Sequence, residues 1–403
     1  MHIVMLLNAT YPKPLDIRVR KEYSSLVKSG FKVTLVCLSA AGQPENEMYE
    51  GVHIKRIKAG KTVYHLAFWD VVMSLTFVHP IFYGALKKLA KSEQIDAIHV
   101  HDLPLVGTAL KFKSRSNVKI VFDMHENYAE ALKIWFQWKT NLLAKLKNKL
   151  FLRPSLWLQY EAHALREADH VLAVVDEMKK RIIETHQIPS SKITIISNTE
   201  PIEFTHQTID NSVYENYKNK FIVTYTGAIG PHRGVDTVIE SFQFLKSYKD
   251  IVFIVVGSGS HDVMNSLKQL IHKHHLEDQV FLEGHKPFQQ VYSYMKLANV
   301  NIIPHKINEQ NEHVVPHKLF QSMLATKPLL VSSSTPLNRI VSETGAGRVF
   351  QAEDAASCAE KILEFYSNPN EAKKMGEAGF AAATRKYSWE ATGADLVKVY
   401  QHL

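Results

Sequence analysis

Chemistry concentrates first in FIVTYTGAIGPHRGVDTVIESF (residues 221–242). There an apolar run is followed by Gly227, Gly230 and Gly234, and Arg233 stands just before a helical pattern. Glycine lets the backbone approach a ligand closely, and the unpaired N–H groups and dipole of a helix start favour an anion. An arginine at that point would neutralise a diphosphate. The same residues also fit a tight turn with a surface arginine, and a lone glycine loop does not separate the two. Two more apolar runs end on glycine, VVGSGS (255–260) and FLEGHKP (281–287), the second carrying Gly284 and His285. In the N-terminal half, DMHENY (123–128) follows an apolar run, so Asp123, His125 and Glu126 are expected at the carboxyl end of a strand, where parallel sheets bind ligands. In AIHVHD (97–102), His99 and His101 alternate along a strand and share one face, with Asp102 beside them. Two imidazoles on one face raise a metal site, but the sequence offers no evident third ligand. A structural role is preferred, with His101 and Asp102 near the ligand cleft.

These residues need strands and helices to position them, and the chain alternates the two throughout. HIVMLL, KVTLVCL, AIHV, KIVFDM, HVLAVV and ITIISN form one series; FIVTYTG, IVFIVVG, QVFLEG, VNIIP and PLLVSS form another. Continuous apolar runs separated by helical stretches indicate parallel sheets covered on both faces. The polar stretch TEPIEFTHQTIDNSVYENYKNK (199–220) reads as the linker. The expectation is α/β: two Rossmann-like domains facing a cleft, residues 1–200 and 201–385, with a helix in 386–403 packing back on the first. The length agrees, since 403 residues exceed what one hydrophobic core usually supports, and 45% hydrophobic with 22% charged residues is ordinary for a globular protein. Cys37 and Cys358 stand far apart, which excludes a disulfide framework or a cysteine zinc site and fits a reducing cytoplasm. Met1 runs straight into an apolar strand pattern without a basic leader, so the chain is expected to stay where it is made. A net charge of +8 asks for an anionic partner: nucleic acid, a phosphorylated small molecule or an acidic membrane. Neither a Gly-x-Gly-x-x-Gly fingerprint nor a P-loop is present, which counts against a nicotinamide dehydrogenase and a P-loop nucleotidase.

The order strand, EGH, helix ending KLANV, strand NIIP, variable loop, VPHKLFQSMLATKPLLVSS and TGAGRVF resembles the nucleotide-sugar half of the family-4 retaining glycosyltransferases of the GT-B fold. PLDIRVRKEYSSLVKSGFKVTLV, AIHVHD, VFDMHENY and EADHVLAVVDEMKKRI resemble that family's N-terminal half, so the likeness covers nearly the whole chain. In the family, a carboxylate pair spaced eight residues apart occupies the loop and helix at 313–321, one near the donor sugar and one on the ribose. Here those positions hold His313 and Gln321, a departure at both. Gln321 retains hydrogen-bonding capacity toward ribose hydroxyls, and Glu312, beside His313, is the alternative sugar-side group. The resemblance places Lys318, after Pro316 at the helix start, with Arg233 on the diphosphate, as a point charge. Ala228 stands where many relatives have an arginine. By the same likeness Gly227, Gly230, Gly284 and His285 lie on the donor side and His125 near the reacting sugar. Asp16, Arg18, His101, Asp102 and Glu126 lie on the acceptor side; the plain alternative for Asp16 and Arg18 is a turn salt bridge.

The implied activity is retaining transfer of a hexose-type sugar from a nucleoside diphosphate, UDP rather than GDP, to an acceptor hydroxyl. No Asp-x-Asp is present, so neither metal nor other cofactor is expected, and protein cations must stabilise the leaving diphosphate. A nucleotide-sugar epimerase of the same fold and a non-catalytic sugar- or nucleotide-binding module are the alternatives. Residues 131–160 lack Asp and Glu and interleave Lys133, Lys139, Lys145, Lys147, Lys149 and Arg153 with Trp135, Phe136, Trp138, Phe151 and Trp157. Such a segment fits an anionic membrane surface on the inner face of the plasma membrane and a lipid-linked saccharide acceptor in surface polysaccharide synthesis. A helical excursion with core aromatics is the alternative. VVMSLTFVHPIFYGAL (71–86), interrupted by Pro80, is too short for a span and reads as a buried helix or part of that surface. No nucleic-acid reader motif is present, so nucleic acid is not an expected partner.

Overall fold

The computed structural model describes residues 1–12, 16–60, 63–137 and 153–403. The chain divides into two compact units, Met1–Ile196 with Thr392–Leu403, and Ser197–Ala391. The first unit carries β1 (His2–Thr10), β2 (Lys32–Leu38), β3 (Asn46–Tyr49), β4 (Val52–Ile57), β5 (Ala97–His101), β6 (Lys119–Met124), β7 (His170–Ala173) and β8 (Ile193–Ile195). They form one sheet in the order β3-β4-β2-β1-β5-β6-β7-β8, parallel except for the β3–β4 pair. The second unit carries β9 (Phe221–Thr226), β10 (Ile251–Val256), β11 (Val280–Gly284), β12 (Val300–Ile303), β13 (Leu329–Ser332) and β14 (Gly347–Phe350), all parallel, in the order β11-β10-β9-β12-β13-β14. Both sheets reverse their strand order at the first strand, β1 beside β5 and β9 beside β12. Loops leaving those neighbours diverge and open a crevice for ligands.

The apolar runs became strands because helices cover both faces. Every residue of β10 is buried: Ile251, Phe253 and Val255 pack on one face with Val223 and Tyr225 of β9, Val300 and Ile302 of β12 and Val238, Ile239 and Phe242, and Val252, Ile254 and Val256 on the other with Tyr214 and Tyr294. Burying side chains of this size contributes roughly 1.5–3 kcal/mol each, against the chain entropy of ordering them.

The β3–β4 hairpin was not anticipated, because β4 reads VHIKRI and its charged residues argue for a surface. Instead Lys55 and Arg56 are buried, and the Arg56 guanidinium donates to the carbonyls of Tyr11 and Pro44, each at 3.0 Å. The two-residue turn is set by Glu50 and Gly51 at φ 48° and 82°, the left-handed pair that matches strand twist. At the other end of the chain, Tyr400 in the helix Trp389–Gln401 is buried in the first unit, its hydroxyl 2.6 Å from His99 Nδ1.

Of the basic aromatic stretch, residues 138–152 lie outside the described residues. Trp157, read as an interfacial ring, is 1% exposed and packs edge-on against Tyr128 and Tyr160, so the core alternative holds for it. The apolar stretch at 71–86 is divided between two helices, Val63–Thr76 and Pro80–Leu89, bent by 80°. Among the described residues no single helix is long and apolar enough to cross a membrane.

Candidate active site

In the second unit, β9 ends at Thr226 and the chain turns through Gly227, whose φ of +125° an L side chain rarely adopts. A Cβ added there would lie 3.0 Å from Lys318 Nζ, so the glycine leaves room for the ammonium. Gly257, after β10, backs this turn: a Cβ on it would come within 1.8 Å of the Gly227 carbonyl oxygen. Pro316 N-caps the helix His317–Leu324, and its second residue, Lys318, sends Nζ over the ring of Tyr225, 3.8 Å from the centroid. That nitrogen is buried and has no hydrogen-bond acceptor among the described residues. Burial, and then the charge of Arg233, push the Lys318 pKa well below the ordinary lysine value.

Arg233 closes a 3₁₀ turn, Pro231–Arg233, and donates from Nη1 to His305 Nε2 at 3.0 Å. His305 follows β12 and is 2% exposed. Burial, then Arg233 and Lys318, hold its pKa well below the histidine range, so it is a neutral acceptor that fixes the guanidinium. His232 is pushed down to about 4, by burial first and then by the same two cations. Loops from β9 and β12 thus meet at the point where strand order reverses. They bring together two cations and two neutral imidazoles, with no carboxylate in any hydrogen bond or ion pair to Arg233 or Lys318 among the described residues. Such a site suits a multiply charged anion with oxygen acceptors.

In the first unit, Asp123 at the end of β6 is the hub of a buried polar cluster. Its Oδ1 accepts from Arg18 Nη2 at 2.6 Å; its Oδ2 lies 3.1 Å from His101 Nδ1 and hydrogen-bonds His125 Nε2. Arg18 Nε also reaches Glu22 Oε1 at 2.9 Å, one helical turn on, and Nη1 donates to the Ile196 carbonyl at 3.0 Å. Burial would raise the Asp123 pKa, but Arg18 and then His125 outweigh it and hold this carboxyl well below the usual range. Burial likewise opposes charge on His125, yet Asp123 and Asp102 raise its pKa to about 9 against the repulsion of Arg18. A pKa of about 9 favours the protonated, donor form of His125, although Arg18 Nε also comes within 2.8 Å of its Nε2, the geometry of a neutral acceptor. Its Nδ1 lies 3.9 Å from Asp102, whose backbone sits at φ +64°, a conformation that costs of order 1–3 kcal/mol outside glycine and recurs at functional sites.

His99 and His101 do gain carboxylate neighbours. Glu22, His99, His101 and Asp123 offer four ligand atoms within 4.8 Å of one another, all buried, and a cation could be held there. Arg18, 2.6 Å from one carboxylate and 2.9 Å from the other, already supplies a counter-charge.

Not every expected residue joins these clusters. Asp16 N-caps the helix Ile17–Lys28, accepting from the backbone N–H of Arg18 and Val19 at 3.0 and 3.1 Å. Glu312 is bonded to Thr335, accepting from its backbone N–H at 3.1 Å at the start of the helix Thr335–Thr344. His313 Nδ1 is 2.7 Å from the Glu309 carbonyl. Gly230 precedes the 3₁₀ turn in extended backbone; Gly284 ends β11 at φ +71°, its carbonyl accepting from Gly257 N–H at 2.8 Å, and His285 beyond it is exposed. Glu126 is half-buried beside Asn127. Gln321 is buried, and its amide donates to Glu200 Oε1 at 3.1 Å, an oxygen also 3.1 Å from His317 Nδ1. Glu200 thus puts a carboxylate one helical turn from Lys318, where residue 321 itself supplies none. Sequence reasoning missed Glu200, read as linker, together with His305, Glu22 and Tyr400. Only the Arg18–Glu22 spacing of four residues carried a signal.

Residues 18–199 match the family described as Glycosyltransferase Family 4, and residues 207–381 match Glycosyl transferases group 1. An uncharacterised glycosyltransferase of Methanocaldococcus jannaschii is 22% identical over 318 residues, 79% of this chain and 78% of that protein. Among solved structures, sucrose-phosphate synthase from Thermosynechococcus elongatus superposes with a TM-score of 0.77 at 16% identity, covering 100% of this chain and 98% of that one. Anabaena HepE, solved in complex with UDP, gives 0.75 at 12% identity with both chains fully covered.

Proposed function

We propose that this chain, which belongs to the family-4 glycosyltransferases of the GT-B fold, moves a hexose-type sugar from UDP to an acceptor hydroxyl with retention of anomeric configuration and without a metal ion. One observation carries the donor assignment: the buried Lys318 ammonium, without a hydrogen-bond acceptor among the described residues, beside an Arg233 guanidinium held by neutral His305. A diphosphate supplies both the charge and the acceptors that these groups lack. UDP is favoured over other nucleotides because HepE, of the same fold, was solved with UDP.

In this reading the bond between the anomeric carbon and the β-phosphate oxygen breaks first, and the electron pair goes to the phosphate. Arg233 and Lys318 stabilise that developing charge by preorganised electrostatics, the part a divalent ion plays elsewhere. The acceptor oxygen then attacks from the face the phosphate leaves, and its proton passes to the phosphate oxygen. No protein nucleophile is needed. His125, its pKa raised to about 9, donates a hydrogen bond to the acceptor bound by the first unit, and Asp123 holds its ring. The acceptor is a saccharide, lipid-linked in the reading favoured here.

Thermal unfolding with UDP, GDP and ADP tests the donor site, because a ligand that binds only the folded state raises the unfolding temperature by mass action. UDP is expected to give the largest rise, and Arg233→Ala to abolish it with the fold intact. An unchanged UDP shift in Arg233→Ala would overturn the phosphate assignment. Transfer that stops on adding a chelator would overturn metal independence.

A further inference from the structure

We propose that His232 is a further donor-site residue, whose Nε2–H hydrogen-bonds an oxygen of the bound diphosphate alongside Arg233 and Lys318. The inference rests on the donor assignment above and adds a neutral donor to its two cations. His232 is the middle residue of the 3₁₀ turn Pro231–Arg233 that follows β9. Its carbonyl is held by the loop after β12, accepting from the Lys306 N–H at 3.1 Å and from Asn311 Nδ2 at 2.9 Å. Gly234 closes the turn against the end of β12, where a Cβ would lie 1.7 Å from the Pro304 carbonyl oxygen. The backbone of the turn is thus pinned, and its side chains have defined seats.

The ring lies over Gly230. A Cβ added to that glycine would come 3.1 Å from His232 Cε1, 3.3 Å from its Nδ1 and 4.0 Å from Arg233 Cγ, so the absent side chain makes room for both residues on one side of the turn. Nδ1 is buried and has no hydrogen-bond partner among the described residues. The residue as a whole is half-buried, and because Cε1 and Nδ1 face the glycine, the open edge of the ring carries Nε2. An N–H enclosed without an acceptor is rarer in folded proteins than an enclosed lone pair, so the proton of the neutral ring belongs on Nε2.

Charge favours this arrangement. Burial, then Arg233 and Lys318, keep His232 neutral, with a pKa of about 4. A third cation would repel the other two in the empty site, whereas a neutral N–H adds a hydrogen bond without that repulsion. His305, the other neutral imidazole, already accepts from Arg233 Nη1 at 3.0 Å. His232 Nε2 has no hydrogen-bond partner among the described residues, so it is the imidazole left to meet a ligand. A diphosphate oxygen is an ionised acceptor, and a bond to it is charge-assisted.

Calorimetric titration of the full chain with UDP tests it. His232→Leu and His232→Ala, which remove the donor with and without its bulk, should each weaken UDP binding roughly 10- to 150-fold, the range for one hydrogen bond to a charged group. His232→Gln, whose amide nitrogen reaches the position of Nε2, should stay near wild type. The inference is overturned if His232→Leu or His232→Ala binds UDP like wild type. It is also overturned if His232→Gln is as weak as they are, which would assign the loss to ring packing rather than to the N–H. Failure of the wild-type chain to bind UDP would overturn the donor assignment itself, and this inference with it.

Discussion

Replacing Lys318 with methionine should stabilise the unliganded protein while removing its response to UDP. Methionine preserves most of the side-chain length and can still lie across Tyr225, but it carries no charge into a site that offers the ammonium no hydrogen-bond acceptor. An uncompensated buried charge costs roughly 3–5 kcal/mol. The face of Tyr225, 3.8 Å away, returns about 2 kcal/mol of that. The net gain for Lys318→Met is then about 1–3 kcal/mol, a rise in unfolding temperature of roughly 2–12 °C for a unit of this size. Binding moves the other way. Removing one partner of a buried ion pair with diphosphate costs about 2–4 kcal/mol, or roughly 30- to 1,000-fold in Kd. If Lys318→Met melts below wild type without ligand, or retains the UDP shift, the assignment of a strained cation awaiting a diphosphate is wrong.

His125 makes stability depend on pH in the alkaline direction. Its folded-state pKa of about 9 lies above the ordinary value of 6.5, so its contribution is complete below pH 6.5 and is lost as pH rises through 9. The loss amounts to about 3 kcal/mol. Urea midpoints should fall across that window in wild type and stay nearly flat in His125→Gln; parallel slopes would contradict the protonated assignment. Gly227→Ala should weaken UDP binding at least tenfold, since at φ +125° its Cβ would press on Lys318 Nζ from 3.0 Å, on top of backbone strain of about 1–3 kcal/mol. Gly345→Ala, at φ +63° with nothing within 4 Å of the new Cβ, is the control that carries strain alone. Equal UDP affinities in the two variants would remove Gly227 from the donor site.

What the sequence disclosed and what it withheld divide along a physical line. Central strands such as β10 were legible because both faces are buried, which leaves an uninterrupted apolar run, whereas β4 was not, because Arg56 finds carbonyl acceptors that only the folded chain provides. Gly227 and Arg233 stood out because turn chemistry is local. His305 did not: its bond to Arg233 joins residues 72 apart and exists only because β12 pairs with β9. The carboxylates show the same division. Gln321 departs from the family pattern in the linear chain, yet its amide meets Glu200, 121 residues away in a stretch with no periodic signal. The acid at the end of that bond belongs to a different loop. Asp123 was placed at a strand end by its apolar neighbours, but Arg18, 105 residues earlier, is what keeps it ionised, and its negative charge is what raises the pKa of His125. A site built where strand order reverses takes its halves from loops distant in sequence. Local pattern therefore names the members of each half, and the charge state of each member is set only when the other half arrives.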